Sequence, residues 1–130
     1  MKAIVLSSGG VDSTTCLAMA VHELGKENVV TLSFEYGQRH CKELESAQKV
    51  ADYYGVRHVV FNLTQIFSFS NCSLLSTSTE KPVHESYAEQ ISKNGEGKVS
   101  TYVPFRNGLM LSAGAALAQS LFPEEKCEIW

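Results

Sequence analysis

The apolar run Ala3-Ile4-Val5-Leu6 leads without a break into Ser7-Ser8-Gly9-Gly10-Val11-Asp12-Ser13-Thr14. This order predicts a buried strand, a sharp glycine turn, and a helix that opens with hydroxyls. Such a turn presents bare backbone N–H groups at the positive end of a helix dipole. Gly9 and Gly10 tolerate φ > 0, which lets the backbone curl into an anion-holding nest, and neither has a Cβ to block an approaching phosphate. Ser8, Ser13 and Thr14 add hydroxyl donors. Asp12 is out of place beside an anion unless a cation comes too, and Mg²⁺ accompanies the phosphates of ATP. The candidate nucleotide site therefore comprises Ser7, Ser8, Gly9, Gly10, Val11, Asp12, Ser13, Thr14 and Thr15. The duller reading is a strand-to-helix turn with a serine N-cap and no ligand.

Two common phosphate motifs are absent. No lysine lies between Lys2 and Lys26, as a G-x-x-x-x-G-K-[ST] loop requires, and the adjacent Gly9 and Gly10 do not make G-x-G-x-x-G. The stretch resembles the SGGxDS signature of the PP-loop ATP pyrophosphatases. That resemblance implies a grip on the β,γ-pyrophosphate of ATP and activation of a substrate by adenylation.

Along the rest of the chain, apolar patterning alternates between strand and helix. Strands are expected at Lys2–Ser7, Asn28–Phe34, Val56–Leu63 and, beginning a fourth, Lys126–Trp130. Helices are expected at Ser13–Leu24, stopped by Gly25, at Arg39–Tyr54, stopped by Gly55, and at Asn107–Leu121, with Asn107 as N-cap and Pro123 as stop. The expected fold is an α/β parallel sheet with helices on both faces and right-handed crossovers, Rossmann-like, in a single domain over 1–130. Strand one should be central, with strand four beside it. Ligands of such sheets sit at the carboxyl ends of the strands, which gathers the glycine turn, Glu35–His40 and the segment after Leu63 at one rim. Residues 64–103 show little periodicity and are rich in serine and threonine, which suits a substrate lid.

Composition narrows the function. The net charge is −3 and 19% of residues are charged, with no basic stretch, so a basic nucleic-acid-binding surface is not expected. No apolar run approaches the ~18–20 residues of a membrane span, and the chain opens on a strand rather than a signal peptide, so a cytoplasmic location is expected. The cysteines at 16, 41, 72 and 127 have no metal-type spacing and read as free thiols. The chain stops inside an apparent strand, and the reading expects a C-terminally incomplete domain.

Two further segments sharpen the family: Ser33-Phe34-Glu35-Tyr36-Gly37-Gln38-Arg39-His40-Cys41-Lys42-Glu43 and Thr101-Tyr102-Val103-Pro104-Phe105-Arg106-Asn107-Gly108. Together with residues 8–17 they resemble the 7-cyano-7-deazaguanine synthase family of queuosine biosynthesis. The resemblance implies an ATP-dependent carbon–nitrogen ligase that converts the carboxylate of 7-carboxy-7-deazaguanine to a nitrile with ammonia. Adenylation turns an oxide into a leaving group, ammonia gives the amide, and a second activation leaves the nitrile. Backbone N–H groups of Ser8 to Ser13 would cradle the pyrophosphate, and Asp12 would hold Mg²⁺. Arg39 or Arg106 would hold the substrate carboxylate or the α-phosphate. Gln38 and Asn107 would read the base edge, Tyr36 would stack on a ring, and His40 is a weaker candidate base. Each has a plainer role: Asn107 as a cap, Tyr36 as core, Arg39 as an exposed first-turn residue. The open edge of the fourth strand leads to the expectation of a homodimer. The resemblance also implies a structural Zn²⁺ held by a C-terminal cysteine cluster that Cys127 does not match. Competing readings are a tRNA thiolase or lysidine synthase of the same superfamily, and a non-catalytic ATP-binding module.

Overall fold

The computed structural model describes residues 1–37, 42–69 and 105–130. Among them, 1–35, 42–62 and 106–130 form one compact unit, and 36–37, 63–69 and 105 belong to a second. The first unit contains β1 (Lys2–Leu6), α1 (Val11–Leu24), a 3₁₀ turn (Lys26–Asn28), β2 (Val29–Glu35), α2 (Lys42–Tyr54), β3 (Arg57–Asn62), α4 (Arg106–Leu121) and β4 (Cys127–Ile129). The second contains the single turn α3 (Thr64–Phe67).

The four strands form one sheet in the order β3-β2-β1-β4, and every pairing is parallel. The first two crossovers build outward to β3, and the third returns to the other side of β1. The reversal falls between β1 and β4, where open α/β sheets leave a crevice at the strand ends. Central position shows in burial. Six consecutive residues of β2, Val29 to Phe34, are buried, as are Ala3, Ile4 and Val5 of β1, whereas edge strand β3 has no fully buried residue.

Alternation along β1 divides the core. Ala3 and Val5 pack with Val29, Val56, Leu17 and Ala20 of α1 and Ala51 of α2. On the opposite face, Gly114 of α4 lies beside Leu6 and Ile129, at 3.6 Å from where a Cβ would stand. The expected helices on both faces, and strand four beside strand one, are therefore present. Leu17 is fully buried, and truncating such a leucine to alanine costs about 2–5 kcal/mol.

Local chemistry sets the ends of the helices. Gly25 takes φ 87° and sends its N–H to Val21, while Asn28 Nδ2 donates to the Leu24 carbonyl at 2.6 Å. In α2 the apolar positions Leu44, Ala47, Val50, Ala51 and Tyr54 recur at helical spacing, and Glu43 and Glu45 complement the dipole in the first turn.

Three expectations need correction. Helix α1 starts at Val11, two residues early, with Gly10 as N-cap and no side-chain capping bond, so neither Ser13 nor any other serine caps it. Of the two glycines that can tolerate φ > 0, Gly9 uses that freedom, at 78°, and Gly10 is extended (φ −79°, ψ 177°). Asn107 lies in the first turn of α4, which already includes Arg106, and so is not its N-cap. The segment from residue 64 begins with a helical turn that lacked any periodic signal.

Candidate functional site

Ser7 is the pivot at which β1 becomes the turn. Its N–H still bonds to the Leu32 carbonyl of β2 at 2.9 Å, and its own carbonyl accepts the Ser33 hydroxyl at 2.5 Å. Ser7 is buried, and its Oγ has no hydrogen-bond partner among the described residues. Gly9 then passes so close to α2 that a Cβ there would sit 2.5 Å from Ser46 Cβ and 2.6 Å from the Ala47 nitrogen. A Cβ on Gly10 would meet only Ser8 Oγ, at 3.3 Å. The glycine pair thus divides the work: Gly9 lets the turn lie against α2, and Gly10 leaves the outer side of the turn bare.

The hydroxyls of the turn converge on one another. Ser8 Oγ and Ser13 Oγ are 3.2 Å apart, the Ser8 N–H donates to Ser13 Oγ at 3.2 Å, and the Gly10 N–H donates to Ser8 Oγ at 3.3 Å. Ser13 Oγ also reaches the Gly10 carbonyl at 3.4 Å. These bonds are long, and a bound anion can replace them with shorter, charge-assisted ones. The Thr14 N–H reaches the Gly10 carbonyl at 3.0 Å and is the first of the intrahelical bonds. The N–H groups of Val11, Asp12 and Ser13 lie before it, in the first turn, where helices leave their donors to a ligand or to water. Thr15 donates its hydroxyl back to the Val11 carbonyl at 2.8 Å. Asp12 and Val11 are exposed at the helix opening. The residues 7–14 are thus brought together as a nest; Thr15 belongs to the helix behind it.

Arg106 and Asn107 open α4. Because α4 runs antiparallel to β4, its first turn lies toward the carboxyl edge of the sheet, the edge that carries the turn. Gly114 is level with Leu6, and Arg106 stands eight residues earlier, about 12 Å further along the axis. Arg106 is half-buried and Asn107 exposed. In the second unit, Tyr36 is buried, with its ring edge-on to Phe67 at 5.9 Å. Gln38, Arg39 and His40 lie outside the described residues, as does most of the 64–103 segment.

Two contributors escaped the sequence reading. Ser33 bonds the pivot carbonyl, and Ser46–Ala47 form the floor beneath Gly9. The one available signal was a serine inside the apolar strand Val29-Val30-Thr31-Leu32-Ser33-Phe34, where a buried hydroxyl needs a partner.

Comparison with known proteins agrees with this geometry. The chain is similar to an NH3-dependent NAD synthetase from Campylobacter jejuni, solved in complex with the nitrate ion. The TM-score is 0.60 at 15% identity, over 92% of this chain and 43% of that one. A glutamine-dependent NAD+ synthetase from Acinetobacter baumannii, solved in complex with adenosine diphosphate, gives a TM-score of 0.63 at 21% identity, over 92% of this chain and 20% of that one. At these identities the likeness concerns the fold. A 7-cyano-7-deazaguanine synthase from Oceanobacillus iheyensis is 40% identical over 127 residues, 95% of this chain. The chain spans about half of that relative, 52% of its length. Residues 2–125 match the family described as Queuosine biosynthesis protein QueC, and the chain belongs to that family.

Proposed function

We propose that this chain carries the ATP-gripping part of an ATP-dependent carbon–nitrogen ligase, one that converts 7-carboxy-7-deazaguanine and ammonia to 7-cyano-7-deazaguanine for queuosine biosynthesis. The observation that carries the reading is the nest at residues 7–14, in a chain of this family, with Gly10 open on its outer side. A carboxylate resists attack by ammonia because it would have to expel an oxide. Transfer of an adenylyl group to that oxygen, with release of pyrophosphate, supplies a leaving group. Ammonia displaces AMP to give the amide. A second adenylation, on the amide oxygen, allows its loss as AMP with two protons and leaves the nitrile.

The chain's own residues bind and orient. Backbone N–H groups from Ser8 to Ser13, with the Ser8 and Ser13 hydroxyls, face the pyrophosphate as its charge develops. The exposed Asp12 carboxylate would hold Mg²⁺, a hard cation that takes one or two carboxylates beside phosphate oxygens and neutralises part of their charge. Arg106 is assigned the substrate carboxylate or the α-phosphate, since its planar fork fits either oxyanion; Arg39 shares that assignment. Tyr36, Gln38 and Asn107 are assigned to the deazaguanine. Zinc has no such fit here: among the described residues no three His, Cys, Asp or Glu side chains cluster to hold a metal. The reading includes a homodimer, small-molecule substrates rather than nucleic acid, and a reducing cytoplasmic setting, in keeping with Cys16 and Cys127 as free thiols. No helix among the described residues is long and apolar enough to cross a membrane.

The test is turnover. Incubation with Mg-ATP, ammonium and 7-carboxy-7-deazaguanine is expected to release AMP and pyrophosphate only when the carboxylate is present, with the nitrile detected by mass. Nucleotide binding with no carboxylate-dependent release would favour the non-catalytic module.

A further inference from the structure

We propose that Ser33 is a positioning residue for the phosphate grip: its hydroxyl fixes the Ser7–Ser8 peptide plane so that the Ser8 N–H faces the first turn of α1. The inference rests on the nucleotide-site reading above. Ser33 lies on β2, 2% exposed, so it cannot touch a ligand in the nest and acts only through what it holds. What it holds is the Ser7 carbonyl, at 2.5 Å. Ser7 is thus bound to β2 from both sides, its N–H to the Leu32 carbonyl and its C=O to the Ser33 hydroxyl.

The second bond matters because of where it falls in the chain. The carbonyl of Ser7 and the N–H of Ser8 belong to one planar trans peptide, so they point in opposite directions. Anchoring the carbonyl toward β2 turns the Ser8 N–H away from the sheet. It then lies 3.2 Å from Ser13 Oγ, which in turn lies 3.2 Å from Ser8 Oγ. The next residue is Gly9, whose positive φ gives the turn its freedom. The Ser7–Ser8 plane rotates about ψ of Ser7 and φ of Ser8, just past the end of β1, and the Ser33 hydroxyl restrains that rotation before a ligand arrives. Donors aimed in advance spend nothing on reorganisation when phosphate charge appears.

A merely structural serine would affect folding and nothing else, so the test reads both. Mg-ATP titration and thermal unfolding are measured on the 130-residue chain as wild type, Ser33→Ala, Ser33→Thr and, as a control on the same strand, Thr31→Val. Ser33→Ala is expected to weaken Mg-ATP about tenfold, the worth of one hydrogen bond near a charged group. Ser33→Thr keeps the hydroxyl and is expected to restore most of the affinity. Thr31→Val should lower the unfolding midpoint and leave affinity unchanged. If Ser33→Ala does not fold, Ser33→Cys keeps the volume with a weaker donor and takes its place. The ligand-free ¹H–¹⁵N spectrum supplies a second readout, in which the Ser8 and Gly10 amide resonances shift in Ser33→Ala and stay near wild type in Ser33→Thr. A Ser33→Ala chain that binds like wild type, or whose Ser8 amide does not move, overturns the inference. A wild-type chain that binds no Mg-ATP overturns the nucleotide-site reading instead, and the Ser8 amide still decides whether Ser33 holds the plane.

Discussion

Gly9 rests on Ser46 with no space between them for a side chain: a Cβ on Gly9 would stand 2.5 Å from the Ser46 Cβ. The neighbour on the other side of that Cβ is α2 backbone, which cannot rotate away, and φ at Gly9 is 78°. Gly9→Ala is therefore expected to cost about 2–4 kcal/mol, from left-handed strain and overpacking together. Gly10→Ala, at an extended residue whose new Cβ would press only on the Ser8 hydroxyl at 3.3 Å among the described residues, is expected to change stability by less than about 1 kcal/mol. Urea unfolding of the two variants checks this; equal losses would contradict the division of labour between the glycines.

His58 makes the fold sensitive to acid. Its Nδ1 lies 2.7 Å from Thr31 Oγ1, and its Nε2 is buried with no hydrogen-bond partner among the described residues. Protonation would place a charged N–H there without an acceptor. Burial pushes the imidazole below its usual 6.5, and the Asp52 carboxylate offsets only part of this. The unfolded chain therefore takes up a proton at a higher pH than the folded chain. Stability from this group is complete above about pH 6.5 and is lost as pH falls through the lower folded value. The unfolding midpoint is expected to drop between pH 7.5 and 5.5, and His58→Leu should flatten that drop. A slope unchanged in the variant would assign the acid sensitivity elsewhere.

Under the proposed function Arg106 acts on the substrate. Arg106→Ala is expected to lower nitrile formation about 100-fold or more, since misplacing a reacting carboxylate by an ångström has that effect, while Mg-ATP affinity stays near wild type. Turnover at the wild-type rate would remove Arg106 from the site.

The 130-residue chain in isolation is expected to dimerise along β4, which has no strand on its outer side among the described residues. Lys126 and Trp130 spend their backbone groups on β1, so those of Cys127 and Ile129 point outward. An open row of this kind pairs readily with a second chain. Light scattering should report a dimer at high concentration, and Cys127→Pro, which removes an outward N–H without touching the β1 bonds, should leave a monomer. A dimer that survives this substitution forms elsewhere.

Much of this architecture was readable before any coordinates. Strand–helix alternation implies parallel pairing, and the glycine turn after Leu6 marks the central strand. What could not be read depends on contacts between distant segments. Both glycines permit φ > 0, and only the approach of Ser46 determines that Gly9 uses it while Gly10 stays extended. Asn107 has the chemistry of a cap, but α4 already starts at Arg106. The four residues of α3 are too few to show a period. Ser33 was noticed only as part of a segment, because nothing local says that its hydroxyl reaches Ser7, 26 residues away.

The central claim is that residues 7–14 grip the phosphates of ATP, and calorimetric titration of Mg-ATP into wild type, Gly10→Val and Asp12→Ala tests it most directly. Extended geometry at Gly10 tolerates valine, so this variant should fold normally while its side chain fills the outer side of the nest. Wild type should bind, Gly10→Val should lose binding at an unchanged unfolding midpoint, and Asp12→Ala should bind more weakly, with less dependence on Mg²⁺. Equal binding by all three chains would contradict the account.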